Sequence, residues 1–236
     1  MNEVLSQAAK RRWEKVRQLQ LLEICERKKL NGYLEKKAFL IGCLMGDGSV
    51  FHYTDKNFKD HYCISFYPDS LRVTKLYVKY FYEVYGIKLK IKQEKNYFSV
   101  RIKNRVIYDD LQNCGPFDSL HWSIPLNDLS SKKAKCAWIS AFFDCEANVG
   151  KRMIQVQSVN CQGILAIQRL LQEFSIESKT YVYVRKKKSW NVNYILCIMK
   201  KESRVNYLNE IGFNHPKKQY RLAISCRDRI IRSVHR

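Results

Sequence analysis

Two carboxylates stand out by what precedes and follows them. Asp47 closes the run Phe39-Leu-Ile-Gly-Cys-Leu-Met-Gly-Asp47-Gly-Ser-Val50, and Glu146 closes Trp138-Ile-Ser-Ala-Phe-Phe-Asp-Cys-Glu146-Ala-Asn-Val149. Each run reads as an apolar helix ending in an acid followed by small residues. Ala38, Gly42 and Gly46 recur at every fourth position and so form one helical stripe; Ala134, Ala137, Ala141 and Cys145 form a similar one. Glycine inside a helix costs about 0.5–1 kcal/mol relative to alanine, and close approach of two backbones would offset it. If the stripes face each other, the helix ends meet and place Asp47 beside Glu146. Two such carboxylates repel, and the partial negative charge of a helix C-terminus worsens the conflict. Divalent cations resolve it. Carboxylate, carbonyl and water oxygens suit Mg²⁺, and paired metals stabilise the attacking and leaving oxygens of an in-line phosphoryl displacement.

The elements needed to position this pair occur twice. After Asn31-Gly32 each half reads as α-β-β-α-β-β-α, an α+β order with a mainly antiparallel sheet. In the first half, short strands over 49–54 and 62–67 precede an amphipathic helix over 71–85. A hairpin (87–92 and 97–103) and a closing helix (105–114) follow. The second half repeats this with strands at 148–151 and 153–159, a helix at 163–174, a hairpin (180–185 and 193–198) and a helix at 202–211. The expected units are a helical, basic N-terminal extension (1–32) and two halves (33–128 and 129–236). The extension would be either a solvated cap or a further contact to a DNA backbone.

Charge points to the partner. A net charge of +21 on 236 residues favours a polyanion. Lys88, Lys90 and Lys92 alternate with Ile87, Leu89 and Ile91, so one strand face is basic and the other apolar. Arg101 and Lys103 repeat this on the next strand, and Arg185, Lys186, Lys187 and Lys188 cluster at the second hairpin. Two basic ribbons suit the major groove of duplex DNA. Aromatics around the first sheet (Tyr53, Tyr62, Phe66 and Tyr67) are expected mostly in the core. The longest apolar run is too short to span a membrane, and no secretory peptide is read. Nine scattered cysteines without a C-x-x-C pair read as free, mostly buried thiols of a reducing intracellular compartment rather than a zinc site. No P-loop is present, and the five histidines form no ligand pattern.

The two motifs resemble those of the LAGLIDADG homing endonucleases: Leu40-Ile-Gly-Cys-Leu-Met-Gly-Asp-Gly48 matches the first and Ile139-Ser-Ala-Phe-Phe-Asp-Cys-Glu-Ala147 the second. The resemblance runs from about Leu34 to Ile224. It implies a monomeric saddle of two antiparallel sheets astride duplex DNA, with the motif helices at a pseudo-twofold interface. It also implies metal held by Asp47, Glu146 and the carbonyls of Gly46 and Cys145, one cut per strand and short 3′ overhangs. Mg²⁺ or Mn²⁺ would serve, with Ca²⁺ as a non-catalytic substitute. Basic residues late in each half assist the family's catalysis. Lys217 or Lys218 fits in the second half; the first half has no lysine at the matching place, leaving His121 or Lys103. Ala147 replaces a usual glycine, which requires a negative φ there. Members of such a fold also act as maturases on a host intron RNA, or as non-cleaving DNA-binding regulators.

Overall fold

The computed structural model describes residues 2–184 and 191–227. The basic run Arg185, Lys186, Lys187 and Lys188 lies outside the described residues.

The motif helices form the centre. Helix α2 (Tyr33–Asp47) packs along α5 (Lys132–Glu146) through the small stripes. A Cβ placed on Gly42 would lie 2.6 Å from the Trp138 carbonyl oxygen, and one on Gly46 would lie 2.5 Å from Cys145 Cβ. The backbones therefore approach as closely as the glycines permit. On their other faces Leu40, Ile41, Leu44, Trp138, Ile139 and Phe142 enter the core of the halves.

Each half then builds one four-stranded antiparallel sheet. The first has order β1-β2-β4-β3, from β1 (Gly48–Thr54), β2 (Asp60–Phe66), β3 (Lys92–Gln93) and β4 (Phe98–Lys103). The second has order β5-β6-β8-β7, from β5 (Asn148–Val149), β6 (Ile154–Ser158), β7 (Lys179–Tyr183) and β8 (Asn193–Ile198). The identical strand order bears out the duplication read from the sequence. One face of each sheet is core: Ile64, Phe66 and Val100 in the first, and Ile154, Val156, Leu196 and Ile198 in the second, are all buried. Helices α3 (Leu71–Tyr85) and α6 (Cys161–Gln172) cover those faces with Val73, Tyr77 and Phe81, and with Ile164, Ile167 and Leu171. The closing helices are α4 (Arg105–Gln112) and α7 (Lys201–Glu210). The second half adds α8 (Pro216–Cys226), whose proline at its start suits a helix N-terminus.

Some expectations shorten. The strand expected over 87–92 pairs only at Lys92–Gln93; Ile87 and Leu89 still pack on the core, but residues 87–91 make no ladder. The segment at 148–151 pairs over two residues only. Tyr53 is not core: it is 42% exposed on the open sheet face, whereas Phe66 is fully buried. Four of the nine cysteines are buried, four are half-buried and Cys25 is exposed, so the thiols are less uniformly buried than expected.

Helix α1 (Asn2–Lys28) docks on the first half. Ile24 is its buried anchor, and Arg27 donates to the carbonyls of Tyr82 and Glu83 at the end of α3, at 3.1 and 3.2 Å. The Tyr82 carbonyl already accepts the Gly86 N–H at 2.8 Å, so Arg27 adds a second donor there and supplies one to Glu83, reinforcing the end of α3. Among the described residues no helix is long and apolar enough to cross a membrane.

Candidate active site

Asp47 and Glu146 come together where α2 and α5 end. The Cβ position of Gly46 is 3.7 Å from Glu146 Cγ, one residue from Asp47. Burial raises both carboxyls. Glu146 is pushed up to about 7, first by desolvation and then by the negative charge of Asp47, against the pull of Lys218. Asp47 is raised by burial and by Asp69, and lowered by Lys218 and by a hydrogen bond from Cys145. Glu146 retains solvent-exposed surface, so the pair sits in an open recess between the halves rather than a sealed cavity. The recess has a volume of about 320 Å³ and is lined by Gly46, Gly48, Phe117, Trp122 and Gln157 beside Glu146.

The backbone after each acid turns away extended. At Gly48 a Cβ would meet Leu44 Cα at 2.5 Å, so no side chain fits there. Ala147, at φ −79° and ψ 137°, satisfies the condition its sequence set.

Lys218 completes the centre. Its Nζ donates to the carbonyls of Phe143 (3.3 Å), Asp144 (2.6 Å) and Cys145 (3.1 Å), the last turn of α5. A cation over three helix-end carbonyls satisfies both their lone pairs and the local negative potential. A chain of bonds on α5 aims it there. Ser140 Oγ donates to the Gly212 carbonyl at 3.0 Å, and Asn214 Nδ2 donates to Ser140 Oγ at 2.9 Å. Asp144, only 2% exposed, accepts from the backbone amides of Asn214 (3.2 Å) and His215 (2.9 Å) and from Asn214 Nδ2 (3.0 Å). A carboxylate at the start of α8 thus fixes that helix on α5, and its first turn delivers Lys218. Burial still outweighs these bonds and pushes Asp144 up to about 6. His215 Nε2 also lies 3.3 Å from Asp69 of the first half, bridging the two halves beside Asp47.

Lys217, next in sequence to Lys218, is exposed. The structure places His121 in an exposed turn whose neighbours Ser119 and Trp122 line the recess with Glu146, and Lys103 far out on the sheet. His121 Nδ1 pairs with Asp118 at 2.7 Å in an exposed turn. Lys103 sits at the outer end of β4, within 3.4 Å of the Tyr53 hydroxyl and 3.2 Å of His61 Nδ1. Strand β1 runs outward from Asp47, which puts Tyr53 roughly 20 Å along it at about 3.3 Å per residue. Among the described residues Lys218 is therefore the cation whose charge bears on both carboxylates. Sequence reasoning passed over Asp144, Ser140, Asn214 and His215. The available signal was Asp144 itself, a second acid on a helix of otherwise apolar surroundings.

The donor set fits a hard divalent cation. It consists of two carboxylates raised first by burial and further by neighbouring acids, with helix-end carbonyls that already hold one cation, Lys218. Cys145 would contribute only its carbonyl: its thiol is raised well above the usual range, first by the Cys43 hydrogen bond and then by burial. Among the described residues no cluster of three or more histidine, cysteine or acidic side chains forms a metal-binding group.

The open sheet faces flank this centre. The register puts Ser49, Phe51, Tyr53, His61, Ser65, Arg101 and Lys103 on one surface of the first sheet. Arg101 lies over the Tyr67 ring at 5.2 Å, and Lys103 over Tyr53 at 5.7 Å. Lys92 joins that face opposite Ser99 and pairs with Glu94 at 2.9 Å. Lys88 and Lys90 are exposed, with Lys88 Nζ 5.9 Å from the Tyr82 ring on α3. The second sheet differs. Its described open face carries Gln155, Gln157, Tyr181, Tyr183 and Ile195, with Lys179 at the margin.

Comparison with known proteins agrees with this architecture. Residues 133–212 match the family model of the LAGLIDADG-like domain. Among solved structures, mesophilic variants of the homing endonuclease I-DmoI superpose with a TM-score of 0.62 at 14% identity, covering 77% of this chain and 97% of that one. I-DmoI in complex with DNA and Ca gives 0.63 at 14% identity, over 84% and 100%. Full-length DUF199/WhiA from Thermatoga maritima gives 0.54 at 10% identity, over 84% and 63%. No curated protein sequence matches. Residues 133–212 are thus similar to a LAGLIDADG-like domain, and the chain as a whole has the fold seen in I-DmoI.

Proposed function

We propose that this LAGLIDADG-fold chain is a site-specific DNA endonuclease that acts as a monomer, hydrolysing one phosphodiester on each strand and leaving short 3′ overhangs. The observation that carries the reading is the meeting of Asp47 and Glu146 at the ends of two packed helices, in an open recess between two exposed sheet faces. The likeness to I-DmoI in complex with DNA and Mn supports a duplex partner and a divalent metal.

Asp47 and Glu146 would hold Mg²⁺ or Mn²⁺ together with the carbonyls of Gly46 and Cys145, and Ca²⁺ would occupy the same place without supporting cleavage. Bound there, the metal lowers the pKa of water and neutralises charge on the phosphate. The chain's own residues do the rest. The close-packed α2 and α5 fix the spacing of the carboxylates. Lys218 shares the Cys145 carbonyl and adds a positive charge to a site where phosphate must enter. Arg101, Lys103 and Lys92 offer donors to the duplex on one side, and Gln155 and Gln157 offer amide groups suited to base edges on the other. Among the described residues Lys218 serves the centre from the second half without a counterpart in the first, so the two strands are cut at different rates.

The test is incubation of a plasmid library carrying a randomised insert with the protein in Mg²⁺, Ca²⁺ or chelator, followed by sequencing of the ends. Defined double-strand breaks with short 3′ overhangs in Mg²⁺ alone support the reading; nicks or breaks unchanged by chelator refute it.

A further inference from the structure

A second cleft, of about 800 Å³, opens between α1 and the outer end of the first sheet. Lys10, Trp13 and Arg17 line it from the helix, and Lys59, Lys103 and Arg105 from the ends of β2 and β4. Five of these six are cations, against Glu14 and Asp60 on the same walls. Asp60 is already engaged by Thr54 (2.8 Å) and His52 (3.1 Å). Asp109 steadies Arg17 at 3.5 Å and Arg105 at 3.8 Å, which fixes the walls relative to each other. Trp13 is 74% exposed beside them.

The position of the cleft matters as much as its charge. Strand β1 leaves the carboxylates at Gly48 and reaches Thr54 six residues on. At about 3.3 Å per residue that is roughly 20 Å, or about six base pairs at 3.4 Å each. The cleft begins where the sheet ends, and Lys103 and His61 belong to both surfaces. The residues that line the cleft belong to α1 and the first half, so the feature is one-sided.

We propose that this cleft seats the sugar–phosphate backbone of duplex DNA beyond the first sheet's footprint, more than about six base pairs from the centre on one side only. The inference rests on the reading of the open sheets as a duplex-binding surface. The cations supply contacts to phosphate that carry no sequence preference, and α1 acts as a clamp that lengthens the site asymmetrically. Trp13 would lie against the sugar edge at the mouth.

The experiment uses the full chain and a 40-base-pair duplex recovered by the wild type from a randomised pool. Two shortened forms end about six base pairs from the centre, one on each side. Affinity is measured against salt for wild type and for Lys10→Gln/Lys59→Gln, two positions on opposite walls. Each phosphate contact contributes about 0.9 to the slope of log affinity against log salt. The expected result is a slope lower by about 2 for the variant on the long duplex, and the same slope as wild type on one shortened duplex only. An unchanged slope on the long duplex, or an equal loss on all three, overturns the cleft while leaving the sheets' role intact. Failure of the wild type to retain any duplex overturns both.

Discussion

Replacing Gly42 with alanine puts the helix interface to a quantitative trial. The added Cβ would lie 2.6 Å from the Trp138 carbonyl oxygen, 3.0 Å from Ala141 Cβ and 3.2 Å from the Phe142 nitrogen. Two of these neighbours are backbone, so no rotamer change relieves the clash. Restoring ordinary contact of at least about 3.4 Å means opening α2 from α5 by roughly 0.8 Å, given that interiors are close-packed. Overpacking of this kind costs about 1–3 kcal/mol. Alanine's better helix propensity returns about 0.5–1 kcal/mol. The net loss is then up to about 2.5 kcal/mol and centred on about 1 kcal/mol, or a fall in Tm of roughly 2–4 °C at that centre for a chain of this size. The separation also shifts Asp47 against Glu146, and displacements near 1 Å cost up to about 100-fold in rate. The assay is thermal unfolding followed by circular dichroism, with Gly150→Ala as control. A Cβ on Gly150 meets nothing nearer than 3.7 Å, so its Tm stays at the wild-type value. A Gly42→Ala protein as stable as wild type, or more so, refutes the close-packed interface.

Other perturbations follow from the same geometry. Lys218→Met removes a donor from the carbonyls of Phe143, Asp144 and Cys145, of which Phe143 keeps the Ala147 N–H, and removes the cation that lowers both carboxyls, so the Glu146 titration seen by NMR moves above about 7 and cleavage slows about 100-fold; a Glu146 titration that moves down contradicts the assignment. Asp144 is held near 6 in the fold against 3.8 when unfolded, so its contribution to stability is complete below pH 3.8 and is lost as pH rises through about 6. At about 1.4 kcal/mol per unit the loss is on the order of 3 kcal/mol; the urea midpoint of wild type should fall relative to that of the non-titrating Asp144→Asn as pH rises from 4 to 7, and parallel curves would reject it. Lys37, nearly buried, lies 3.1 Å from Asp110 and 3.9 Å from Asp128. Lys37→Met leaves half-buried Asp110 with only the more distant Lys28 (4.0 Å) and the Tyr85 hydroxyl, and lowers unfolding free energy by about 1–3 kcal/mol in urea titration; a loss under 1 kcal/mol would show the pair to be dispensable.

The repeat, the order of elements along each half and the meeting of Asp47 with Glu146 were legible because they follow from local periodicity and from stripes of small residues. Alternation at Ile87–Lys92 misled, since an edge segment exposed to solvent needs no ladder to keep Ile87 and Leu89 in the core. Choosing Lys218 over Lys217 was beyond the sequence. The choice depends on the phase of α8, set by Asp144 and Ser140 gripping residues 212–215 some 70 positions away. The cleft beside α1 was equally hidden, because a basic helix does not declare which surface it docks against. Its buried anchor is one residue, Ile24, and Arg27 ties it to the end of α3.

The central claim is that Asp47 and Glu146 act as one centre for cutting and not for binding. Its most direct test is parallel measurement of affinity and of strand cleavage in Mg²⁺ on a duplex recovered from the library, for wild type, Asp47→Asn and Glu146→Gln. The account predicts that all three bind within a few-fold of one another while both variants lose cleavage. A wild type that binds the duplex yet cuts it with no divalent ion, or a variant that still cuts both strands at the wild-type rate, would contradict it.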